Sequence, residues 1–382
     1  MNLSIQAGRI RIYRVAVSAF FFIAGLTFAS WASRIPDVKT ALQLSDARLG
    51  AVLFALPAGL MTSLLFAGWL VSRFGSRKIM IAAALLYPAI LVLLGFAATV
   101  WQLTFILFLF GLSSNLVNIA MNTQAVDVEA MYGRSVMASF HGLWSIAGFS
   151  GAAIGTLLVS AHVMPAVHFI IIFALAGLLV LVFYRFTLPA DTRPAVAAPF
   201  FVKPDRYILV LGLIAFCSML CEGAMADWSG VYFQNVVKSP REFMTFGYVA
   251  FTAAMATGRF IGDGLATKLG VKKVLQLSAT FIATGLLMAI LFPSLVAAVS
   301  GFLLVGLGVS SIVPLVYSLA GKSGSMSPGL ALAAVSSVSF LGFLIGPPMI
   351  GFIADLAGLR LSFAVIALIG LCPAFLANSI KL

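Results

Sequence analysis

Apolar runs dominate this chain, and their breaks set its organisation. Hydrophobic stretches interrupted by Gly, Pro or charges fall near residues 13–32, 46–71, 78–99, 101–126, 135–160 and 165–187, then again near 207–235, 242–266, 272–291, 295–320, 329–354 and 359–379. Each is long enough for a helix crossing a bilayer core of about 30 Å, which takes about 20 residues. The pattern predicts an all-α membrane protein of twelve transmembrane helices in two six-helix bundles. Between the two sets, Pro189, Pro194, Pro199 and Pro204 stand among mixed charges, as in an extended surface linker. The expected division is therefore 1–188, a cytoplasmic linker 189–205, and 206–382.

Composition sharpens the picture. Of 382 residues, 62% are hydrophobic and 9% charged, where a soluble domain carries about 25% charged residues. A net charge of +12 would suit nucleic acid if it lay on one solvated face, but the basic residues sit at helix ends, so no nucleic-acid partner is expected. With the N-terminus inside, sixteen of the 23 Lys and Arg fall in cytoplasmic segments and six outside, with Arg259 within a span. That bias predicts both termini in the cytoplasm of a bacterial cell, in a multi-pass inner-membrane protein. The basic, apolar N-terminus imitates a signal peptide; the many equally apolar segments after it favour a retained anchor. The three cysteines, Cys217, Cys221 and Cys372, lie in apolar runs and offer no disulfide framework.

The two sets of helices echo each other. Gly68-Trp-Leu-Val-Ser72-Arg73-Phe-Gly75-Ser-Arg77-Lys78 matches Asp263-Gly-Leu-Ala-Thr267-Lys268-Leu-Gly270-Val-Lys272-Lys273 in its glycine and basic positions. Ala29-Ser30-Trp31-Ala32-Ser33 is echoed by Ala226-Asp227-Trp228-Ser229-Gly230, and Phe108-Leu-Phe-Gly111-Leu by Phe302-Leu-Leu-Val-Gly306-Leu.

The loop from Gly68 to Lys78 resembles the signature between the second and third helices of the major facilitator superfamily. That resemblance implies a tight cationic turn that holds the cytoplasmic side closed, and so a gating role for Arg73, Gly75, Arg77, Asp263 and Lys268. Ser72 stands where the family usually has an aspartate; Asp127 or Glu129 is the candidate replacement partner for Arg73 or Arg77. Trp31-Ala-Ser-Arg34-Ile-Pro36, Ala120-Met-Asn122, His141-Gly142, Glu222-Gly-Ala-Met-Ala-Asp227-Trp228, Gly258-Arg259-Phe260 and Gly346-Pro347-Pro348 look like the YbjJ and MosC branch, related to fucose permeases. This likeness implies a proton-linked carrier of small polar solutes.

The residues have their own reading beside that resemblance. Glu222 lies near the middle of its helix, where an ionised acid costs about 2.5–3.5 kcal/mol on insertion scales, and is the candidate proton-coupling group. Asp227 is about 7 Å nearer the outside and roughly 140° around the helix, so the two acids serve different faces. Arg259 can pair with Asp263 one turn on, or reach Glu222. Asn115, Asn118 and Asn122 share one stripe with Gly111, within about 60° of one another. Their amides suit hydroxyl-bearing solutes, although joining helices is the usual role of such residues. Asn118, Asn122, Trp31, Arg34, Asp227 and Trp228 are thus the candidate solute-binding residues, with Trp31 and Trp228 as stacking faces at a cavity mouth. His141 is a candidate for a structural hydrogen bond, and the glycines of the fifth and eleventh spans are candidate rocking elements.

No nucleotide loop, zinc-binding histidine spacing or nucleophile constellation occurs in the sequence. The expectation is a non-enzyme without cofactor or metal: a monomeric secondary transporter whose partners are a small solute, protons and the lipid bilayer. A sugar- or cyclitol-like solute is favoured; efflux of amphipathic compounds and a non-transporting sensor are the alternatives. The topology is testable by cysteine labelling. A cysteine at position 39 should react with an impermeant maleimide in intact cells, and one in the 189–205 linker should not; the reverse pattern would overturn the orientation.

Overall fold

A computed structural model describes residues 3–132, 136–189, 205–323 and 328–380. The 189–205 linker lies almost wholly outside the described residues. The first set of helices is α1 (Leu3–Ala32), two short helices α2 (Ile35–Ala41) and α3 (Asp46–Leu53), then α4 (Ala55–Phe74), α5 (Ser76–Leu94), α6 (Val100–Tyr132), α7 (Met137–Ser160) and α8 (Pro165–Phe183). The second set is α9 (Arg206–Tyr232), α10 (Phe246–Leu269), α11 (Val271–Leu291), α12 (Leu295–Gly321), α13 (Pro328–Ala357) and α14 (Leu359–Leu376). Among the described residues eleven helical stretches are long and apolar enough to cross a membrane. The remaining long helix, α10, carries Arg259, Asp263 and Lys268. Large apolar side chains on the outside, such as Trp101 at 84% and Leu356 at 88% exposure, suit contact with lipid rather than water.

The chain forms two compact units: Met1–Arg34 with Ala55–Ala197, and Ile35–Phe54 with Ala198–Leu382. In this division residues 35–54 group with the second unit. The physical reason is backbone contact. A Cβ on Gly50 of α3 would fall 2.5 Å from the Pro347 carbonyl oxygen and 3.1 Å from the Gly351 Cα of α13, so only paired glycines let these helices touch. Thr40 of α2 accepts a hydrogen bond from Gln234 at 3.2 Å, and Arg241 pairs with Asp37 at 3.1 Å. The single run expected over 46–71 corresponds to the membrane-length stretch Asp46–Phe74, interrupted only at Phe54 between α3 and α4.

Within each unit the same pairs of helices pack together. In the first, α1 lies on α7, α4 and α5 lie on α6, and α5 lies on α8; in the second, α9 lies on α13, α10 and α11 on α12, and α11 on α14. The repeat is visible at single residues. Gly75 and Gly270, 195 positions apart, have nearly the same positive-φ backbone (φ 85°, ψ 143° and φ 83°, ψ 147°), which an L side chain rarely adopts. Each turns the chain sharply between consecutive long helices.

Gly111 and Gly306 are also 195 apart. A Cβ on Gly111 would fall 1.9 Å from the Leu56 carbonyl oxygen, and one on Gly306 2.2 Å from that of Phe251, and Leu56 and Phe251 are themselves 195 apart. The weakest of the three sequence echoes therefore marks the same backbone contact in both units. Replacing Gly111 or Gly306 by alanine should destabilise the detergent-purified protein by about 1–3 kcal/mol, the usual cost of overpacking. Gly68→Ala, with nothing within 4 Å of its Cβ position, should leave the thermal unfolding midpoint near that of the parent, which checks the comparison.

Candidate functional site

At the end of the first unit that carries its basic loop, a buried amide organises the turn. Gln124 of α6 donates to Ser76 Oγ at 2.7 Å and to the Leu188 carbonyl at 3.3 Å, and its Oε1 accepts from the Leu188 N–H at 3.0 Å. One side chain thus ties the start of α5 to the segment after α8. Arg77 donates to the Tyr184 carbonyl at 3.1 Å, and Arg77 and Lys78 line a hollow of about 350 Å³ with Tyr184 and Pro189. Arg73 is exposed at the end of α4, and Asp127 is buried on α6. Glu129, a candidate partner for Arg73 or Arg77, instead caps the start of α7, where its Oε2 accepts from the backbone N–H groups of Val136 and Met137 at 2.7 and 2.8 Å. Lys268 is exposed near the end of α10, and the Asp263 side chain lies outside the described residues, so its expected pairing with Arg259 does too. His141 packs edge-on against Phe21, with ring centroids 5.4 Å apart.

The asparagine stripe of α6 divides in two. Asn115 is buried, at 3% exposure, and among the described residues its amide nitrogen has no acceptor. Asn118 and Asn122 are half-buried and bonded to each other: the Asn122 amide donates to Asn118 Oδ1 at 2.9 Å and to the Asn118 carbonyl at 2.8 Å. This pairing leaves one amide N–H₂ on Asn118 and one carbonyl on Asn122 for other partners. A hydroxyl, which both donates and accepts, is complementary to that arrangement.

Trp31 and Arg34, one turn apart at the end of α1, are sealed from solvent at 1% and 0% exposure. Arg34 Nε donates to His168 Nδ1 of α8 at 3.0 Å, and His168 is also fully buried. Because Nδ1 accepts, the imidazole proton of this neutral ring sits on Nε2. Among the described residues that Nε2 and the Trp31 indole N–H have no acceptor. His168 is not legible in the sequence as a site residue, because a lone histidine near the start of an apolar helix has no sequence partner. Its only signal is tertiary, the hydrogen bond from Arg34.

In the second unit, Glu222 of α9 faces Arg259 of α10, Oε1 to a terminal guanidinium nitrogen at 3.9 Å, with the side chains 15% and 21% exposed. Arg259 also contacts Met255 Sδ at 3.8 Å. Of the two partners open to Arg259 in the sequence, the structure therefore contains the interhelical one. Asp227, five residues on, is half-buried, and among the described residues it makes no ion pair and accepts no hydrogen bond. Trp228 is fully buried, its indole N–H also without an acceptor among the described residues. The repeat-equivalent tryptophans thus share both burial and an unanswered donor.

The paired six-helix pattern and the matching glycine turns agree with the sequence comparisons. The profile of the Major Facilitator Superfamily matches residues 15–328. The chain belongs to that superfamily of transporters. It is 34% identical to an uncharacterized MFS-type transporter of Yersinia pestis, over 96% of this chain and 95% of the relative, and 32% identical to the membrane protein MosC of Rhizobium meliloti, over 94% and 88%. A cis,cis-muconate transport protein of Acinetobacter baylyi is 22% identical over 86% and 84%. Among solved structures, a bacterial homolog of the human lysosomal transporter Spinster superposes with a TM-score of 0.75 at 14% identity, covering 99% of this chain and 97% of that one. The nucleoside transporter NupG reaches 0.74 at 14%, covering 96% and 99%. These two likenesses establish the fold.

The Arg34–His168 contact in this transporter yields a stability test. Replacing His168 by leucine removes the acceptor from a fully buried guanidinium nitrogen, and should cost about 1–3 kcal/mol. A lowered thermal unfolding midpoint checks it; His168→Asn, which can still offer an acceptor, should recover part of the loss.

Proposed function

We propose that this protein is a secondary carrier that couples proton movement to the passage of a small polar solute across the bacterial inner membrane. In this reading its two halves alternate access to the solute and both termini lie in the cytoplasm. The observation that carries the coupling is the Glu222–Arg259 ion pair between α9 and α10. In the low-dielectric interior of a membrane protein the Coulomb attraction of an ion pair is larger than in water, offset by the cost of desolvating both groups. A proton on Glu222 removes that attraction and frees α10 from α9, so proton binding and helix arrangement become one equilibrium.

The solute reading rests on the Asn118–Asn122 pair, which presents a donor and an acceptor together. That chemistry favours a hydroxyl-bearing compound. The muconate and nucleoside transporters among the similar proteins are carriers of polar molecules as well, although of different classes. The basic turn at Gly75 and its repeat at Gly270, with Arg73, Arg77 and Lys268 at their flanks, are each suited to a gating role.

Glu222→Gln is the decisive variant, since glutamine mimics the protonated acid. In proteoliposomes, solute exchange should survive, while uphill accumulation driven by a pH gradient should vanish. Full proton-driven accumulation in the mutant would remove Glu222 from the coupling role. Loss of both activities in folded protein would make it a solute-binding residue instead.

A further inference from the structure

The hollow beside the turn from α4 to α5 concentrates positive charge. Arg77 and Lys78 line its space of about 350 Å³ together with Phe74, Ile81 and Tyr184, and no acid is among its lining residues. Arg77 reaches only a neutral partner there, the Tyr184 carbonyl. Lys78 is exposed and has no hydrogen-bond or ion-pair partner among the described residues. Both cations stand in the first turn of α5, where the helix dipole disfavours positive charge, and that turn contains no acid. Arg73, exposed in the last turn of α4, and Arg185, over the Tyr184 ring at 5.6 Å, add to the same sign.

The rim of this hollow is apolar. Phe74 and Tyr184 are both exposed. Along α5, Leu85 follows Ile81 by one turn on the same stripe; near the end of α8, Leu181 precedes Tyr184 by three residues. Leu85 and Leu181 are exposed as well, and α5 packs on α8. A track of exposed apolar side chains therefore runs from the cations along two adjoining helices, away from their shared end. A soluble anion would use the cations alone. A phospholipid uses both features, with its phosphate at the Arg and Lys and its acyl chain on the apolar track.

We propose that this hollow seats the phosphate of an anionic phospholipid, with Arg77 and Lys78 on the headgroup and Ile81, Leu85 and Leu181 along an acyl chain. A zwitterionic headgroup brings its own ammonium group, which the surrounding cations repel, so the site selects a lipid of net negative charge. The bound lipid would bridge the start of α5 and the end of α8. This goes beyond the carrier reading and does not depend on it.

Thermal unfolding of the full chain in detergent micelles tests the site. Phosphatidylglycerol should raise the unfolding temperature saturably; phosphatidylcholine with the same acyl chains should not, nor should inorganic phosphate at equal ionic strength. Lys78→Gln breaks no bond among the described residues, and should weaken the phosphatidylglycerol response by about fivefold, equivalent to about 1 kcal/mol for one basic residue at an anionic lipid. Lys78→Arg should preserve it. Adding Arg77→Gln to Lys78→Gln should weaken it further, whereas Lys272→Gln with Lys273→Gln, at the equivalent turn of the second unit, should leave it near that of the parent. An equal response to phosphatidylcholine would reduce the effect to unselective lipid contact, and an equal response to inorganic phosphate would make the ligand a soluble anion; either overturns the proposal. So does an undiminished response in Lys78→Gln, or an equal loss in the Lys272 and Lys273 variant, which would assign the effect to overall charge. Should the double variant at Arg77 and Lys78 fail to stay monodisperse, the lipid comparison on the unmodified protein and on Lys78→Gln decides. No gradient or solute enters the measurement, so a failure of Glu222 as the coupling group leaves its outcome unchanged.

Discussion

Close approach of helix backbones is the constraint on which this structure depends. Lipid tails are as apolar as the side chains they meet, so burial of apolar surface supplies little force between helices, and van der Waals contact between backbones must supply more. Here that contact is made where a glycine admits the carbonyl of a neighbouring helix: Gly111 against Leu56, Gly306 against Phe251, Gly25 against Trp144 and Gly342 against Phe216. Each helix satisfies its own backbone hydrogen bonds, as a lipid-exposed segment must, and the glycines set how near the next one can come.

The polar groups follow from that packing. Once α1, α7 and α8 close on one another, Arg34 has no route to water and finds the imidazole of His168 instead. Gln124 likewise replaces solvent for Ser76 and the Leu188 backbone. In the second unit the same pressure joins Glu222 to Arg259 and leaves Asp227 without a counterpart among the described residues. Buried polar groups without partners are costly.

The segment from Ile35 to Phe54 illustrates how tertiary contacts override sequence order. It is contiguous with α1 and α4, yet it packs with α9 and α13 through Gly50, Gly351 and the Arg241–Asp37 pair. Its charges, Asp37, Lys39, Asp46 and Arg48, mark it as a break between apolar runs but do not say which unit it joins. The grouping depends on two glycines 301 positions apart meeting face to face.

The sequence by itself determined the class, the helices and the duplication. Long apolar runs in a chain with 9% charged residues have one stable environment, and helices are how a single segment satisfies its backbone there. Glycines at 75 and 270 were legible as equivalent turns because the left-handed backbone they adopt leaves a fixed residue type at a fixed spacing. Site candidates were legible where a charge stood in an apolar run, as with Glu222, Asp227, Arg259 and Arg34. What only the tertiary structure decided was pairing: Arg259 with Glu222, Glu129 with the start of α7, His168 with Arg34, and the division of the asparagine stripe into one buried amide and one bonded pair. Pairing is a property of distance between helices remote in the chain, and hydrophobic periodicity, which reports only what each segment faces, carries no record of it.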